Sequence, residues 1–171
     1  MELIIVFGSI YKFELTEEMK AQIGKESPTW TYEVTTTSVR AFARGVGYTD
    51  PVFYDIEAAK KAGYRSLPAP PTYLGTPIYI PGQSSETFGE PKKLSVGVKS
   101  GLRNGLDGST EIEYFDTICA GDTLSAYNRL ADLQVRESRS LGKMLIITVE
   151  SIFKNQDGNL VAIRRAQFIM Y

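Results

Sequence analysis

Three extended stretches joined by short polar turns fill the C-terminal part of the sequence, and they constrain the fold more than any other feature. The stretches cover Thr123–Glu137, Lys143–Phe153 and Leu160–Tyr171. The turn between the last two contains Asp157-Gly158, a dipeptide typical of tight β-hairpins. Another alternating stretch, Thr110–Ile118, precedes them. Strands joined by such short connections pair antiparallel, so the sequence predicts an antiparallel meander.

Helical signals dominate the N-terminal part instead, as short segments that begin at capping residues and end at glycine. The predicted elements are helices over Thr16–Ile23, Thr37–Gly45 and Ile56–Ala62, a strand over Trp30–Val34, and a short helix from Pro71 interrupted by Gly75 and Pro77. Thr37 or Ser38 is predicted to cap the second helix, and Asp55 the third. Helices followed by an antiparallel meander make an α+β domain.

Length and charge fit one globular domain. The chain has 171 residues, of which 23% are charged, and its formal net charge is −1. This balance offers no electrostatic footprint for nucleic acid or for a membrane, so neither is expected as a partner. We expect residues 1–15 to form a leader or an edge strand and residues 16–171 to form the domain. The apolar run Glu2–Phe7 lacks the basic flank of a signal peptide.

The sequence contains no histidine and a single cysteine, Cys119. The absence of histidine excludes Ser-His-Asp and Cys-His catalysis within this chain, and it excludes zinc sites built on histidine. Cys119 lies between apolar residues and is predicted to be a buried structural thiol in a reducing compartment, which points to the cytoplasm. No metal and no cofactor are expected.

The stretch Gly47–Asp55 is rich in aromatic residues where a loop is normally polar. It places Tyr48, Phe53 and Tyr54 between two predicted helices. Such a loop is either pinned into the core or lines an apolar cavity, and the residues alone favour neither interpretation.

Two further stretches suggest chemistry at first sight. Gly101–Gly108 is dense in glycine, but it lacks the lysine of a phosphate-binding loop, so a kinked strand or bulge is the favoured interpretation. Glu111 and Glu113 share one face of a predicted strand. A carboxylate pair could perform acid–base chemistry if it were buried, but the solvent-exposed face of the sheet is favoured.

Several segments, in order and spacing, resemble the MaoC-like dehydratase family and in particular its N-terminal FAS1-like dehydratase half. They are Phe42–Asp55, Ala58–Tyr64, Ala69–Thr72, Leu102–Gly105, Thr110–Phe115, Ala120–Leu124 and Asn155–Ala162. The resemblance implies a single hot-dog fold, an antiparallel sheet wrapped around a central helix. That helix would start at Pro70-Pro71-Thr72 and would be shortened by Gly75 and Pro77. It also implies reversible hydration of 2-enoyl thioesters to 3-hydroxyacyl thioesters of coenzyme A or acyl carrier protein.

Catalytic members of this family carry a motif of the form G-D-x-N-P-x-H-x-D. Aligned on Gly47, Pro51 and Asp55, the position of the catalytic Asp holds Tyr48 and that of the catalytic His holds Phe53. A phenol with a pKa near 10 is about six units less acidic than a carboxyl, and a phenyl ring transfers no proton. We therefore predict no catalytic residue in this chain.

The resemblance then implies a non-catalytic, acyl-binding subunit whose hot-dog partner supplies the catalytic Asp and His. The residues assigned to an acyl tunnel are Tyr48, Phe53, Tyr54, Tyr73 and Asn104. Bulky acyl groups, as in fatty acid or steroid metabolism, would explain a subunit devoted to binding.

Two alternatives stay open at this point. The chain could be a self-sufficient hot-dog thioesterase that uses a carboxylate such as Asp50, Asp55 or Glu111. It could also be a homodimer that binds acyl thioesters without turning them over.

Overall fold

The computed structural model describes residues 13–75 and 94–171. The α-helices are α1 (Glu17–Lys20), α2 (Thr36–Val46) and α3 (Ile56–Lys61), and the strands are β1 (Trp30–Glu33), β2 (Gly105–Tyr114), β3 (Thr123–Ser138), β4 (Gly142–Lys154) and β5 (Leu160–Met170). Single 3-10 turns lie at Pro51–Phe53 and Tyr73–Gly75. Residues 1–12, the greater part of the predicted leader, and the end of the predicted central helix lie outside the described residues.

The strands form one antiparallel sheet in the order β1-β3-β4-β5-β2. The α+β prediction and the meander β3-β4-β5 are confirmed. The last hairpin closes at Gly158, whose φ of 80° is left-handed as a tight turn requires. β2 starts at Gly105 rather than Thr110, and its register shifts between Asp107 and Ser109. The prediction of a kinked strand or bulge at Gly101–Gly108 therefore agrees with the register shift near the start of β2.

The predicted cap of α2, Thr37 or Ser38, is wrong by two or three residues. Thr35 is the N-cap, because its side chain accepts a hydrogen bond from the backbone N–H of Ser38 at 3.0 Å. The Ser38 hydroxyl in turn accepts one from the backbone N–H of Thr35, also at 3.0 Å. This reciprocal capping box satisfies two backbone donors at once, which a cap at Thr37 or Ser38 would not. The Asp55 cap of α3 is confirmed.

Alternate side chains of the sheet face the helices and form the inner face, where two apolar clusters lie. The first joins the sheet to α2, α3 and the segment 67–74, and it includes Val39, Ala59, Leu67, Leu124 and Phe153. The second, towards the other end of the strands, includes Phe13, Leu130, Leu133, Leu145, Ile147 and Val149.

A polar row crosses the inner face between the two clusters. Ser151 is fully buried; its hydroxyl donates to Asn128 Oδ1 at 2.6 Å and accepts from Arg164 Nη2 at 3.0 Å. The ends of the row donate to backbone carbonyls: Asn128 to Leu94 at 2.9 Å and Arg164 to Leu74 at 3.3 Å. Because buried polar groups need partners, this row fixes residues 74 and 94 against the sheet.

Candidate functional site

Residues of the loop Gly47–Asp55 end or start three elements of the backbone. Gly47 and Asp55 coincide with residues of the motif, whereas Asp50 stands where the motif has Asn. Gly47 ends α2 with a left-handed φ of 83°. Asp50 Oδ1 accepts from the Val52 N–H at 3.0 Å and starts the 3-10 turn. Asp55 Oδ1 accepts from the N–H groups of residues 57 and 58 at 2.8 and 3.4 Å and starts α3. The loop is thus fixed at both ends and at the 3-10 turn by hydrogen bonds and a helix end formed by its own residues.

Aromatic rings occupy the two positions where the family motif has its catalytic pair. The rings of Tyr48 and Phe53 lie 5.5 Å apart between centroids and 34° from coplanar. The Tyr54 hydroxyl donates to the carbonyl of Tyr48 at 2.5 Å, and Arg40 Nε donates to the carbonyl of Tyr54 at 2.9 Å. These contacts hold the two rings side by side.

A cleft of about 610 Å³ opens next to Phe53. This volume lies inside the range of roughly 300–1,000 Å³ typical of small-molecule sites. Its lining residues are Phe53, Tyr64, Pro68, Ala69, Pro71, Tyr114, Phe115, Asp116, Thr117 and Ile118. Most of these side chains are apolar or aromatic, so the cleft suits a ligand with an apolar body.

Two extended segments form the floor of the cleft. The Ala69 N–H donates to the carbonyl of Ile118 at 2.7 Å, and the Ala120 N–H donates to the carbonyl of Leu67 at 2.8 Å. These two hydrogen bonds form an isolated antiparallel β-bridge between Pro68 and Cys119, and a side-chain contact beside it links the same region.

Asp122 provides that contact. It is only 2% exposed, and its Oδ2 accepts from Arg65 Nη2 and from the Cys119 N–H, the latter at 2.8 Å. Arg65 Nη2 also donates to the Thr117 carbonyl at 3.3 Å. The side chain of Arg65 is half exposed, so it spans from the surface to the buried carboxylate.

Burial opposes the ionisation of Asp122, but the hydrogen bonds from Arg65 and Cys119 outweigh it, so the pKa of this carboxyl lies below its usual range. The ion pair with Asp122 raises the pKa of Arg65. The Cys119 thiol is buried as predicted, and burial raises its pKa. This thiol is therefore protonated at neutral pH and is a poor nucleophile.

Thr72, next to the cleft, has a φ of 69° and is the one non-glycine residue with a positive φ among the described residues. A β-branched residue in this conformation is strained, by about 1–3 kcal/mol. Burial raises the pKa of the nearby Tyr114 phenol, an effect that the Thr72 backbone N–H partly offsets. The phenol is thus neutral at physiological pH and is a hydrogen-bonding group in a mostly apolar cleft.

The residues assigned to the acyl tunnel do not all come together. Tyr48, Phe53 and Tyr54 share the loop, and Phe53 lines the cleft. Tyr73 is buried behind it, with its hydroxyl 2.8 Å from Ser38 Oγ and its ring edge-on to Phe42. Asn104 pairs its backbone with Tyr171, just before β2, whereas the cleft lies at the far end of that strand. Ten residues of strand separate the two, roughly 30 Å. The assignment as a whole stays a prediction.

Carboxylates proposed for self-sufficient catalysis lie elsewhere or have other roles. Asp50 and Asp55 are exposed caps, and Glu111 is exposed on β2. Among the described lining residues Asp116 is the one carboxylate, and its Oδ1 accepts from the Thr117 N–H at 2.7 Å. The described part of the cleft therefore offers binding groups but no acid–base pair.

Sequence reasoning missed the second wall of the cleft, residues 114–118, and the Arg65–Asp122 pair. Tyr114 lies in the alternating stretch Thr110–Ile118 and Asp122 in the segment Ala120–Leu124, and neither position carries a sequence signal for a cleft or an ion pair. Arg65 and Asp122 lie 57 positions apart in the sequence, so no local pattern joins them. The usable signal was the aromatic stretch Gly47–Asp55, which includes Phe53.

Comparison with known proteins identifies the family. The family model described as "FAS1-like, dehydratase domain region" matches residues 21–164. A UPF0336 protein from Parafrankia sp. (strain EAN1pec) is 33% identical over 147 residues, which cover 86% of this chain and 82% of that protein. The chain belongs to the FAS1-like dehydratase family.

This FAS1-like dehydratase domain also resembles solved structures. The ChsH1-ChsH2 complex from Mycobacterium tuberculosis matches with a TM-score of 0.71 and 19% identity, covering 90% of this chain and 92% of that chain. A C-terminally truncated HadBC (3R-hydroxyacyl-ACP dehydratase) complex from the same organism matches with a TM-score of 0.65 and 22% identity, covering 86% and 96%. Since further MaoC-like dehydratases share the architecture, the predicted MaoC-like hot-dog fold is confirmed.

Within residues 13–75 and 94–171, no helix of this FAS1-like dehydratase domain has the length and apolar character needed to cross a bilayer.

Proposed function

We propose that this chain is the acyl-binding subunit of a two-subunit hydratase, which interconverts 2-enoyl and 3-hydroxyacyl thioesters of coenzyme A or acyl carrier protein. A second hot-dog subunit supplies the catalytic Asp and His. The observation that carries the proposal is the loop Gly47–Asp55. Phe53 of this loop lines a ligand-sized cleft, and its ring contacts Tyr48, so aromatic side chains occupy the two positions that align with the catalytic Asp and His of the motif.

The lining of the cleft supports an acyl ligand. Phe53, Tyr64, Tyr114 and Phe115 form an aromatic wall of the kind that takes up apolar chains. Phe115 is half exposed and Tyr114 is also exposed, so a bound ligand can bury apolar surface of both rings. The neutral Tyr114 phenol and the exposed end of the cleft suit the polar thioester portion of the ligand.

The position of the cleft supports completion by a partner. Its far wall starts at Tyr114, the last residue of β2, and β2 lies at the edge of the sheet. Edge strands carry unpaired N–H and C=O groups that readily accept a further strand. A subunit that adds its own strand to β2 would stand beside the cleft and bring its catalytic pair towards the ligand. The similarity to two structures of two-component complexes agrees with this arrangement.

Binding and turnover by the purified chain test the proposal separately. Titration with a long-chain 2-enoyl-CoA is expected to show saturable binding and no loss of enoyl absorbance. Phe53→Ala and Phe115→Ala should weaken binding by roughly tenfold, as expected for loss of one aromatic contact worth about 1–1.5 kcal/mol. Phe168→Ala is a matched control, because Phe168 is an exposed ring on β5 that does not line the cleft.

Hydration should appear only when a hot-dog subunit with an intact Asp/His motif, identified by co-purification from the source cell, is added. Hydration by the isolated chain would refute the non-catalytic role, and release of free thiol by it would instead favour the thioesterase. Binding without turnover, with every motif-bearing subunit that co-purifies, would favour the homodimeric binder.

A further inference from the structure

β2 is the longest open edge among the described strands. It pairs with β5 on one side and with no described strand on the other. All of its residues are exposed except Ile112, which is half-buried. On the opposite side, β1 has four residues, and residues 131–138 of β3 have no described strand beside them. With ten residues, β2 is still the longest single open edge for a partner that extends this sheet.

The face of β2 that points away from the helices, here called the outer face, carries an ion-pair row that runs across the sheet. Arg129 Nη2 lies 2.6 Å from Glu150 Oε2, Arg165 Nε lies 3.0 Å from Glu150 Oε1, and Arg165 Nη1 lies 3.1 Å from Glu113 Oε2. The side chain of Glu150 is only 14% exposed, so the row is tightly packed at its centre. Its last member, Glu113, stands on the open edge strand.

Glu111 adds a second carboxylate to the same face of that strand. It is in register with Arg165, but the two guanidinium contacts of Arg165 go to Glu113 and Glu150. No described residue forms an ion pair with Glu111. The row with Glu111 thus contains two cations, Arg129 and Arg165, and three carboxylates, and the surplus negative charge lies on the open edge strand.

This charge disfavours pairing of β2 with β2 of a second copy. A two-fold axis makes such pairing antiparallel, and residues directly opposite each other must lie on the same face. In any register that brings residues 109–113 of the two copies together, Glu111 or Glu113 of one copy lies directly or diagonally opposite Glu111 or Glu113 of the other. Like charges in these positions destabilise the pair.

We infer that the outer face of β2 selects a heterologous partner, namely a subunit whose edge strand carries Lys or Arg opposite Glu111 and Glu113, and selects against a second copy of this chain. This inference rests on the proposed function for the existence of a partner subunit, and it adds the charge that identifies the partner. The same contact would extend the ion-pair row from β5 across the subunit boundary.

A charge-reversed copy of the chain can stand in for the basic partner. Glu111→Lys is the suitable change, because Glu111 has no described ion pair to lose, whereas Glu113 binds Arg165. Differently tagged wild-type and Glu111→Lys chains are mixed, and the dimer populations are measured by native mass spectrometry. The mixed dimer is expected to form roughly tenfold more tightly than either self-paired dimer, and the preference should shrink at about 1 M salt.

Two further measurements locate the contact. A carbodiimide should join the introduced amine to residues 109–113 of wild type, and only in the mixed sample. Glu18→Lys changes the net charge equally, but on α1, where Glu18 is exposed, and it should produce no preference.

A mixture that stays monomeric, or that pairs without preference, overturns the inference, as does a wild-type homodimer cross-linked through residues 109–113. Acyl thioester binding by the same samples tests the proposed function independently, because Glu111 does not line the cleft. Intact binding without charge preference removes only the inference, whereas absence of binding by wild type removes the proposed function.

Discussion

Replacing Asp122 by asparagine is expected to lower the free energy of unfolding at pH 7 by about 1–2 kcal/mol. A hydrogen bond to a charged group contributes about 1.5–3 kcal/mol when buried, and an exposed ion pair contributes about 0–1 kcal/mol. Asp122 is buried but Arg65 is half exposed, so their pair falls between these limits. The amide oxygen of asparagine can still accept from the Cys119 N–H, so that contact is expected to survive.

The loss should depend on pH in a defined direction. The pKa of Asp122 is lower in the folded protein than the value of about 3.9 expected in the unfolded chain. A lowered folded pKa stabilises the folded state fully above the unfolded pKa, and this stabilisation disappears as the pH falls through the folded pKa. The difference between wild type and Asp122→Asn should therefore be constant from neutral pH down to about pH 5. It should shrink as the pH falls past the unfolded value of about 3.9 and vanish only below the folded pKa of Asp122.

Thermal and urea unfolding followed by circular dichroism measure both effects. A loss of 1–2 kcal/mol corresponds to a fall in Tm of about 2–8 °C for a chain of this size. Asp157→Asn is the control, since Asp157 is exposed in the last hairpin and should change stability by less than about 0.5 kcal/mol. Equal stability of Asp122→Asn and wild type at pH 7, or a loss that persists unchanged at pH 3, would refute this reasoning. The Arg65–Asp122 ion pair would then not stabilise the two segments that form the floor of the cleft.

Three other substitutions test the surroundings of the site by the same unfolding measurements. Tyr73→Phe removes the hydroxyl contact with Ser38 and should cost about 1 kcal/mol, and a neutral result would show that this contact contributes nothing. Ser151→Ala breaks the buried polar row next to Arg164 and should cost about 1–3 kcal/mol, whereas a stabilised protein would contradict the role of that row. Thr72→Gly should raise stability by about 1 kcal/mol, because glycine adopts a φ of 69° without strain, and destabilisation would argue against strain there.

The sheet was the most predictable part of the fold, because its signals are local. The alternation of β3, β4 and β5 and the Asp157-Gly158 turn set both their extent and their antiparallel order. The helix caps were less predictable. Residues 35–38 are Thr-Thr-Thr-Ser, and each can cap a helix. The reciprocal bond between Thr35 and Ser38 decides among them, and only the geometry shows it.

The cleft was predictable on one side only. Aromatic density in the sequence indicated the wall that contains Phe53 and Tyr64. The opposite wall, residues 114–118, comes from the end of β2 and is brought there by sheet pairing rather than by a local motif. Tyr73 shows the opposite problem. Its aromatic character led to its assignment to the acyl tunnel, but its hydroxyl contacts Ser38 in the core. Composition separates apolar from polar positions, but it does not separate a buried ring from one that lines a cleft.

The loop Gly47–Asp55 shows how scaffold and chemistry separate within one motif. Gly47, Asp50 and Asp55 act on the backbone, as a left-handed helix end and two caps, so they are needed for the fold whether or not a reaction occurs. Tyr48 and Phe53 make no such backbone contribution through their side chains, and their rings pack against each other. The loop therefore has two kinds of position: three that shape its backbone and two whose side chains it presents. Under the proposed function, Phe53 forms part of the apolar wall of the cleft and Tyr48 packs against it. The catalytic residues then have to come from a partner subunit at the open edge of β2.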